Sequence, residues 1–513
     1  MRRVLSCLVL VTLVAVAHCA NSGRSYATPL RSCKSVGALP VQVSDDGECY
    51  ELSKDLSWGG VTPAITWAGA KRGELHFRGH RLTLTEQCAR GVSVVDGGEL
   101  TVFDAHVDAD QHQYCSGGRA FEAQQNATLS IYDALINNTN AGIVVFDSTL
   151  RVERTRIVGA PNAFDGDRVT YLTRISGDGS GVACLGQSVC HIEDTHVRFA
   201  QTPDQNGAAI QTIGFDRVAA NFTTFGEIHI YRSSAVAHQC FNMAGGHSAS
   251  LYDCVADVLP SVGDAYAPIN QLIIGFAYRL GCQRIEQAVM RGCQANLERV
   301  STMASVSALE IVATGSLLVE GFNAVGRSPL SDITYFSSPI RRVQKGLVFI
   351  SPVCNSANQT SVHLHNLQTT ATDHDTPHIT VGTDAVGPNA GEATVMIENW
   401  IGSQGSVGLV VGSGSRRSVR VRGAQLNQQF YGVYVVNASR NVVVRDTTFT
   451  QHCVAVRVEA NADNVIVRET EFLDNSDSIW VDTSSFVSVN NFNTGDTGAS
   501  CPFGPFVWDS SLY

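Results

Sequence analysis

Apolar side chains recur along this chain as a short pattern: apolar, any residue, apolar, four of any kind, apolar. It is clearest near the C-terminus, at Val419, Val421 and Leu426, then Val442, Val444 and Phe449, then Val465, Val467 and Phe472, with starts 23 residues apart. The template also fits Leu75/Phe77/Leu82, Leu100/Val102/Val107, Leu129/Ile131/Ile136, Leu150/Val152/Ile157, Cys190/Ile192/Val197, Ala249/Leu251/Ala256 and Leu317/Val319/Ala324. Shorter matches stand at Ile228/Ile230, Val362/Leu364 and Val395/Ile397. A self-similar period of roughly 20–29 residues predicts a solenoid, whose units bury apolar surface only by stacking on their neighbours.

Apolar residues at i and i+2 share one face of a strand, so the residues between them, such as Arg151, His363, Arg420, Val443 and Ile466, face outward. Residues 408–491 carry no helical spacing over ten or more positions, which makes each coil all-strand. Two residues beyond the second apolar position the chain reads Gly79, Asp104, Asp133, Asp194, Asp253, Gly321, Asn366, Asn399, Gly423, Asp446 and Asn491, interrupted by Arg154, Arg232 and Glu469. Gly, Asn and Asp tolerate left-handed backbone, so this column predicts a corner turned at one place on successive coils.

The coil SRNVVVRDTTF at 439–449, its neighbour ADNVIVRETEF at 462–472 and the turn column make the chain similar to the right-handed parallel β-helix superfamily, the pectin-lyase-like fold. The resemblance covers 71–495 and implies an all-β solenoid with capped ends. A leucine-rich repeat would carry Asn after a Leu-rich strand and usually a helix in each coil; a propeller would need longer blades with their own motif. Neither is present.

Composition narrows the setting. The chain has 513 residues, beyond the usual span of one globular core, but a solenoid grows linearly. Charged residues are 16% and apolar ones 44%, which excludes disorder. With 47 acidic against 36 basic side chains the surface should repel nucleic acid and anionic membranes and suit neutral glycans or cations.

Residues 1–17 read as a signal peptide: basic Arg2 and Arg3, an apolar run from Val4 to Val14, and Ala15 and Ala17 at small-residue cleavage positions. Its loss takes the net charge from −11 to −13 and leaves fourteen of 15 cysteines, an even number that predicts no free thiol. The run from Val4 to Val14 is too short to span a bilayer and no second apolar run of about 18 residues or more follows, so a secreted or surface location is expected, without membrane insertion. Residues 18–70 read as an N-terminal cap, 496–513 as a C-terminal cap or tail, and 259–315 as an excursion from the stack. Candidate disulfide partners by nearness are Cys33 with Cys49, Cys88 with Cys115, Cys184 with Cys190, Cys240 with Cys254, and Cys282 with Cys293. Glycosylation sequons stand at Asn126, Asn137, Asn221, Asn358 and Asn437, a number that composition alone accounts for.

The enzymes of this superfamily imply further signatures, and only fragments are here. Gly245-Gly246-His247 and Arg284-Ile285-Glu286 partly match hydrolase segments, and Ile479-Trp480-Val481-Asp482 a lyase strand, with Thr483 where that motif has His. The densest reactive cluster is His363, His365, Asp373, His374, Asp375 and His378. His363 and His365 project from one strand face and are spaced to grip one ion or substrate oxygen. Nothing in the sequence folds 368–377 back over its own coil, so exposed, unpaired imidazoles with no metal are expected. Asp165, Asp167 and Asp178 offer hard oxygens for calcium, without the spacing of a dedicated loop, and an ordinary Gly-Asp turn is the simpler account. Tyr132, Tyr231, Tyr252 and Tyr434 are outward aromatics available for sugar stacking. Together these features predict a secreted structural or adhesive β-helix, of a cell envelope or virion, with extended glycans or other surface proteins as partners and no required cofactor. A polysaccharide lyase or glycoside hydrolase is the alternative, and it requires two carboxylates converging in a groove.

Overall fold

The computed structural model describes residues 32–43, 46–69, 71–86, 88–109, 118–139, 141–159, 181–198, 208–213, 226–237, 239–244, 246–258, 272–278, 285–297, 305–311, 314–328, 331–333, 341–343, 346–350, 360–382, 393–412, 417–436, 439–495 and 501. Among them no helix is long and apolar enough to cross a membrane. Nearly all their strands belong to two parallel sheets: one of 31 strands folded along a corner (sheet A) and one of 16 (sheet B). An antiparallel pair, Ser331–Ile333 with Arg341–Val343, stands apart.

Register follows the hydrophobic template. Val419 lies opposite Val442 and Val421 opposite Val444, and Val442 and Val444 in turn face Val465 and Val467. Leu100, Leu129 and Leu150 form the same kind of column nearer the N-terminus. All of these are fully or almost fully buried in one continuous apolar core. Each apolar residue stacks on its equivalent one coil away, so the core lengthens without widening.

The first copy departs from the template by two residues. Leu75 pairs with Val102 and Gly73 with Leu100, so Gly73 and Leu75, not Leu75 and Phe77, match the inward pair of the next coil, while Phe77 is buried in the core just beyond them. The cause is Trp67, fully buried, whose ring lies 2.3 Å from where a Gly73 Cβ would stand. Parallel pairing also runs back before the template: Lys34–Val36 pairs with Glu48–Leu52, which pairs with Arg72–His76. Within 259–315, Leu272–Tyr278 continues sheet B and Ile285–Arg291 continues sheet A.

The corner column adopts left-handed backbone, from Asp104, Asp133 and Asp194 to Asn366, Asn399 and Asp446. Arg154 (φ 49°), Arg232 (φ 44°) and Glu469 (φ 53°), which interrupt the column chemically, take the same conformation. The two arginines are held there by the preceding corner: Arg154 donates to both Asp133 oxygens (2.6 and 2.9 Å) and Arg232 to both Asp194 oxygens (2.8 and 2.9 Å). Such bidentate pairs offset part of the cost of about 1–2 kcal/mol that a side chain meets in this conformation.

Immediately after the corner runs a ladder that the template did not mark. Thr155, Thr195, Ser233, Cys254, Cys293, Thr447 and Thr470 each donate to the carbonyl two residues earlier. A short polar side chain is thereby satisfied inside an apolar stack.

Candidate functional site

Repetition decides the outward tyrosines first. On sheet A, His76 stacks on Phe103 (4.8 Å) and Phe103 on Tyr132 (5.6 Å), while Tyr231 stacks on Tyr252 (5.1 Å, interplanar angle 3°). Arg151 and Arg154 lie over the Tyr132 ring. Ring faces here are turned along the solenoid axis and covered by the next coil, which leaves mainly edges for solvent. Tyr434, expected outward and open, is instead only 3% exposed, packed with Val407, Val410, Val436 and Tyr431 in a small cluster separate from the core.

The histidine cluster divides. His378 points into the stack and is fully buried, which corrects its expected exposure. Trp400 Nε1 donates to Thr369 Oγ1 (2.9 Å), the Thr369 hydroxyl is left to donate to His378 Nδ1 (2.7 Å), and His378 Nε2–H faces the Gln404 carbonyl. That chain satisfies every member with a neutral ring, a tautomer assigned from the network. Burial pushes the His378 imidazole down to about 4. Further along the axis His452 Nε2 meets Gln429 Oε1 (2.7 Å), and Asn475 Oδ1 accepts the His452 backbone N–H (2.9 Å). His452 is pushed down to about 3, again by burial. Asn475 Oδ1 also lies 3.1 Å from His452 Nδ1, so both ring nitrogens of His452 face amide oxygens, and a neutral ring donates to only one of them.

His363 and His365 stay on the outer face of sheet A, but neither is unpaired. His363 Nε2 lies 3.0 Å from Glu398 Oε2, and His365 Nε2 accepts from Asn399 Nδ2 (3.2 Å). Both partners come from the next coil, where Glu398 lies opposite His365, a register that the sequence around 363–378 does not carry. Asp373 caps the local turn by accepting from the Thr376 N–H (3.0 Å). His374 and Asp375 are exposed on that turn.

Sheet B carries a row of which the sequence marked only Tyr434, as an outward aromatic, and Trp480, within a partial lyase motif. Val410, Tyr434, Arg457 and Trp480 occupy one outward position on four successive coils. Tyr431 stacks on Tyr434 (5.1 Å), the Tyr434 hydroxyl donates to Glu459 Oε1, and the Arg457 guanidinium lies over the Trp480 ring. Trp480 is 40% exposed, one of the large apolar side chains that sheet B leaves open, together with Phe146 at 41%. Burial raises the Tyr434 hydroxyl far above its ordinary range and lowers Arg457. Glu459 and Asp482 take equivalent backbone places, bonded to the Val435 and Val458 carbonyls one coil back. The row therefore combines aromatic planes, a cation and two carboxylates on one strip.

Cysteine geometry revises the parity expectation. Cys33–Cys49, Cys184–Cys190 and Cys453–Cys501 are disulfides, the last absent from the nearness pairs. Cys88 is also bonded. Cys240, Cys254 and Cys293 are buried free thiols. Cys240 and Cys254 do not meet because the chain runs from one sheet to the other between them; Cys254 is aligned instead with Cys293, one coil on. Cys33, Cys49 and His76 lie within 4.8 Å, but the two sulfurs are bonded to each other. Asn126 is exposed on a left-handed turn, and Asn137 is half-buried in a strand. The signal segment, Asp165, Asp167, Asp178, Asn221, Asn358, Asn437, Cys115 and Cys282 lie outside the described residues.

The sequence matches no protein-family model. It matches no curated protein either. Solved structures do align with it. The tailspike protein of E. coli bacteriophage HK620, in complex with a pentasaccharide, aligns over 88% of this chain and 72% of its own at 11% identity and TM-score 0.33. The chain is a right-handed parallel β-helix. The catalytic domain of a GH87 α-1,3-glucanase, in complex with tetrasaccharides, covers 92% of this β-helix and 70% of its own length (11% identity, TM-score 0.35). The Streptococcus pneumoniae surface protein and adhesin PfbA covers 89% and 90% (7% identity, TM-score 0.30). At these scores the likeness carries no inference about ligand.

Proposed function

We propose that this β-helix is a secreted or surface-exposed glycan-binding protein that uses the outer strip of sheet B. The observation that carries the reading is Trp480, 40% exposed and in register with Arg457, flanked by Glu459, with Tyr434 buried beneath as support for the Glu459 carboxylate. A sugar offers C–H faces that pack on aromatic planes and hydroxyls that bond to carboxylate and guanidinium, and a strip that repeats coil by coil suits an extended chain. Disulfides favour an oxidising, extracellular setting. Trp480 and Arg457 sit on a rigid sheet, so little ordering cost attaches to binding.

Glycan-array screening followed by calorimetry tests it. Binding of a neutral oligosaccharide should weaken at least about 10-fold in Trp480→Ala with unchanged melting, as expected of a central aromatic anchor. Undiminished binding by that variant would refute this placement of the site. The equivalent positions of Glu459 and Asp482 favour one second reading, a glycosidase strip. It predicts that the bound oligosaccharide is cleaved, with new reducing ends that disappear in Glu459→Gln. A bound, uncleaved ligand supports the binding reading alone.

A further inference from the structure

On sheet A, two to four coils before Tyr434, Arg457 and Trp480, the strand Thr360–His365 and its two neighbours bring together imidazole nitrogens and carboxylate oxygens on one outer face. His363 and His365 are alternate residues of one strand and share its outer face, their rings 6.0 Å apart. Glu398, on the next coil, lies opposite His365 and has Oε2 3.0 Å from His363 Nε2. Glu320, on the preceding coil, also lies opposite His365, with Oε1 3.9 Å from its Nδ1. Each of the four side chains is 27–40% exposed, open enough for an ion to enter.

We propose that His363, His365 and Glu398 form a divalent transition-metal site, filled by zinc, with Glu320 positioning His365. Ligands about 2.0–2.2 Å from one ion stand roughly 3–3.5 Å from each other at tetrahedral angles, and His363 Nε2 and Glu398 Oε2 already have that separation. An ion replaces the proton that now joins them. The Asn399 amide donates to His365 Nε2, so that nitrogen carries the lone pair, and the Nδ1–H is directed toward Glu320. A carboxylate behind the distal N–H fixes tautomer and ring orientation and makes the other nitrogen a better ligand. Glu320 is itself steadied by Arg291 (2.9 Å). Arg422, opposite Glu398 on its other side, is turned toward Asp446 (3.2 Å) and so does not occupy the Glu398 carboxylate.

Two imidazoles and one carboxylate select zinc or a similar N/O-seeking ion over calcium, which takes six or more oxygens. Three protein ligands leave a fourth place for water or a ligand oxygen. A rigid strand supplies the His-any-His pair; the three ligand atoms do not yet lie within 4.8 Å of one another, so His365 Nε2 must leave the Asn399 amide and its ring must turn toward His363 and Glu398 for the ion to be held.

The test uses the full chain without an affinity tag, titrated with zinc by calorimetry, with calcium as the comparison ion. About one equivalent of zinc should bind, and calcium should not compete. His363→Ala and Glu398→Gln should each weaken zinc binding by about 10-fold or more, and the double variant His363→Ala/His365→Ala should abolish it. Glu320→Gln should weaken it by about 10-fold while one equivalent still binds, as expected of a positioning residue. All four positions are outward and partly exposed, so melting of the metal-free variants should match the parent. Zinc binding that the double variant leaves unchanged would overturn the proposal, as would binding insensitive to Glu398→Gln.

Discussion

At the scale of single residues, burial inside the stack dictates protonation. His378 and His452 are neutral in the folded chain because no solvent and no anion faces them, and their ordinary value in an unfolded chain is about 6.5. Below that pH the unfolded chain takes up a proton at each ring that the folded chain refuses, until about 4 for His378 and about 3 for His452. Their contribution is therefore whole above about pH 6.5 and falls with pH, by about 1.4 kcal/mol per pH unit for each ring. Denaturant midpoints should drop between pH 6.5 and 5, above the range where most carboxylates titrate, and His452→Gln should flatten the slope. A midpoint unchanged across that window would rule out neutral buried rings. The thiols follow the same logic: burial pushes Cys240 and Cys293 well above the ordinary thiol range. Alkylation should modify them only after unfolding, since the thiolate is the nucleophile. Mass spectrometry showing either residue labelled in the native protein would contradict the buried positions.

At the scale of the coil, side-chain direction and corner geometry carry the stability. Val444 is fully buried and stacked between Val421 and Val467, so Val444→Asp should cost more than about 3 kcal/mol. Arg445, next in the strand and facing outward, should tolerate Asp within about 0.5 kcal/mol. Equal melting losses would undo the register. At the Arg154 corner, Ala would lose both bonds to Asp133 and keep the left-handed backbone, whereas Gly loses the bonds but relieves the strain. Arg154→Gly should therefore be more stable than Arg154→Ala by about 1 kcal/mol. The coil was legible from sequence because its signals are local: Val442 and Val444 two apart, Asp446 two further on. Gly73, Trp67 and the sheet B row were not, because each acquires meaning only from a residue one coil away. The same holds for His363. Its neighbours in sequence suggest a loose polar turn, while the partner that matters, Glu398, is 35 residues on.

At the scale of the whole molecule, a solenoid couples each coil only to its neighbours, so its ends are its weak points. Sheet B ends at Asp477–Val481 and sheet A at Val487–Gly495, each with a partner strand on one side alone. The Cys453–Cys501 disulfide ties the chain just beyond this last coil to buried Cys453, closing a loop of 48 residues. In the chain-entropy account, such a loop is worth about 4 kcal/mol against the unfolded state. In a linear stack that stabilisation should be felt locally, because opening the last coil need not open those before it. Cys453→Ser should therefore accelerate hydrogen exchange in 477–495 and leave 417–445 close to the parent. Because Trp480 lies within the released coil, glycan affinity should fall along with that protection, whereas zinc binding by His363, His365 and Glu398, several coils back, should persist. Exchange that rises evenly along the chain would mean that the molecule opens as one unit, and the nearest-neighbour description would fail.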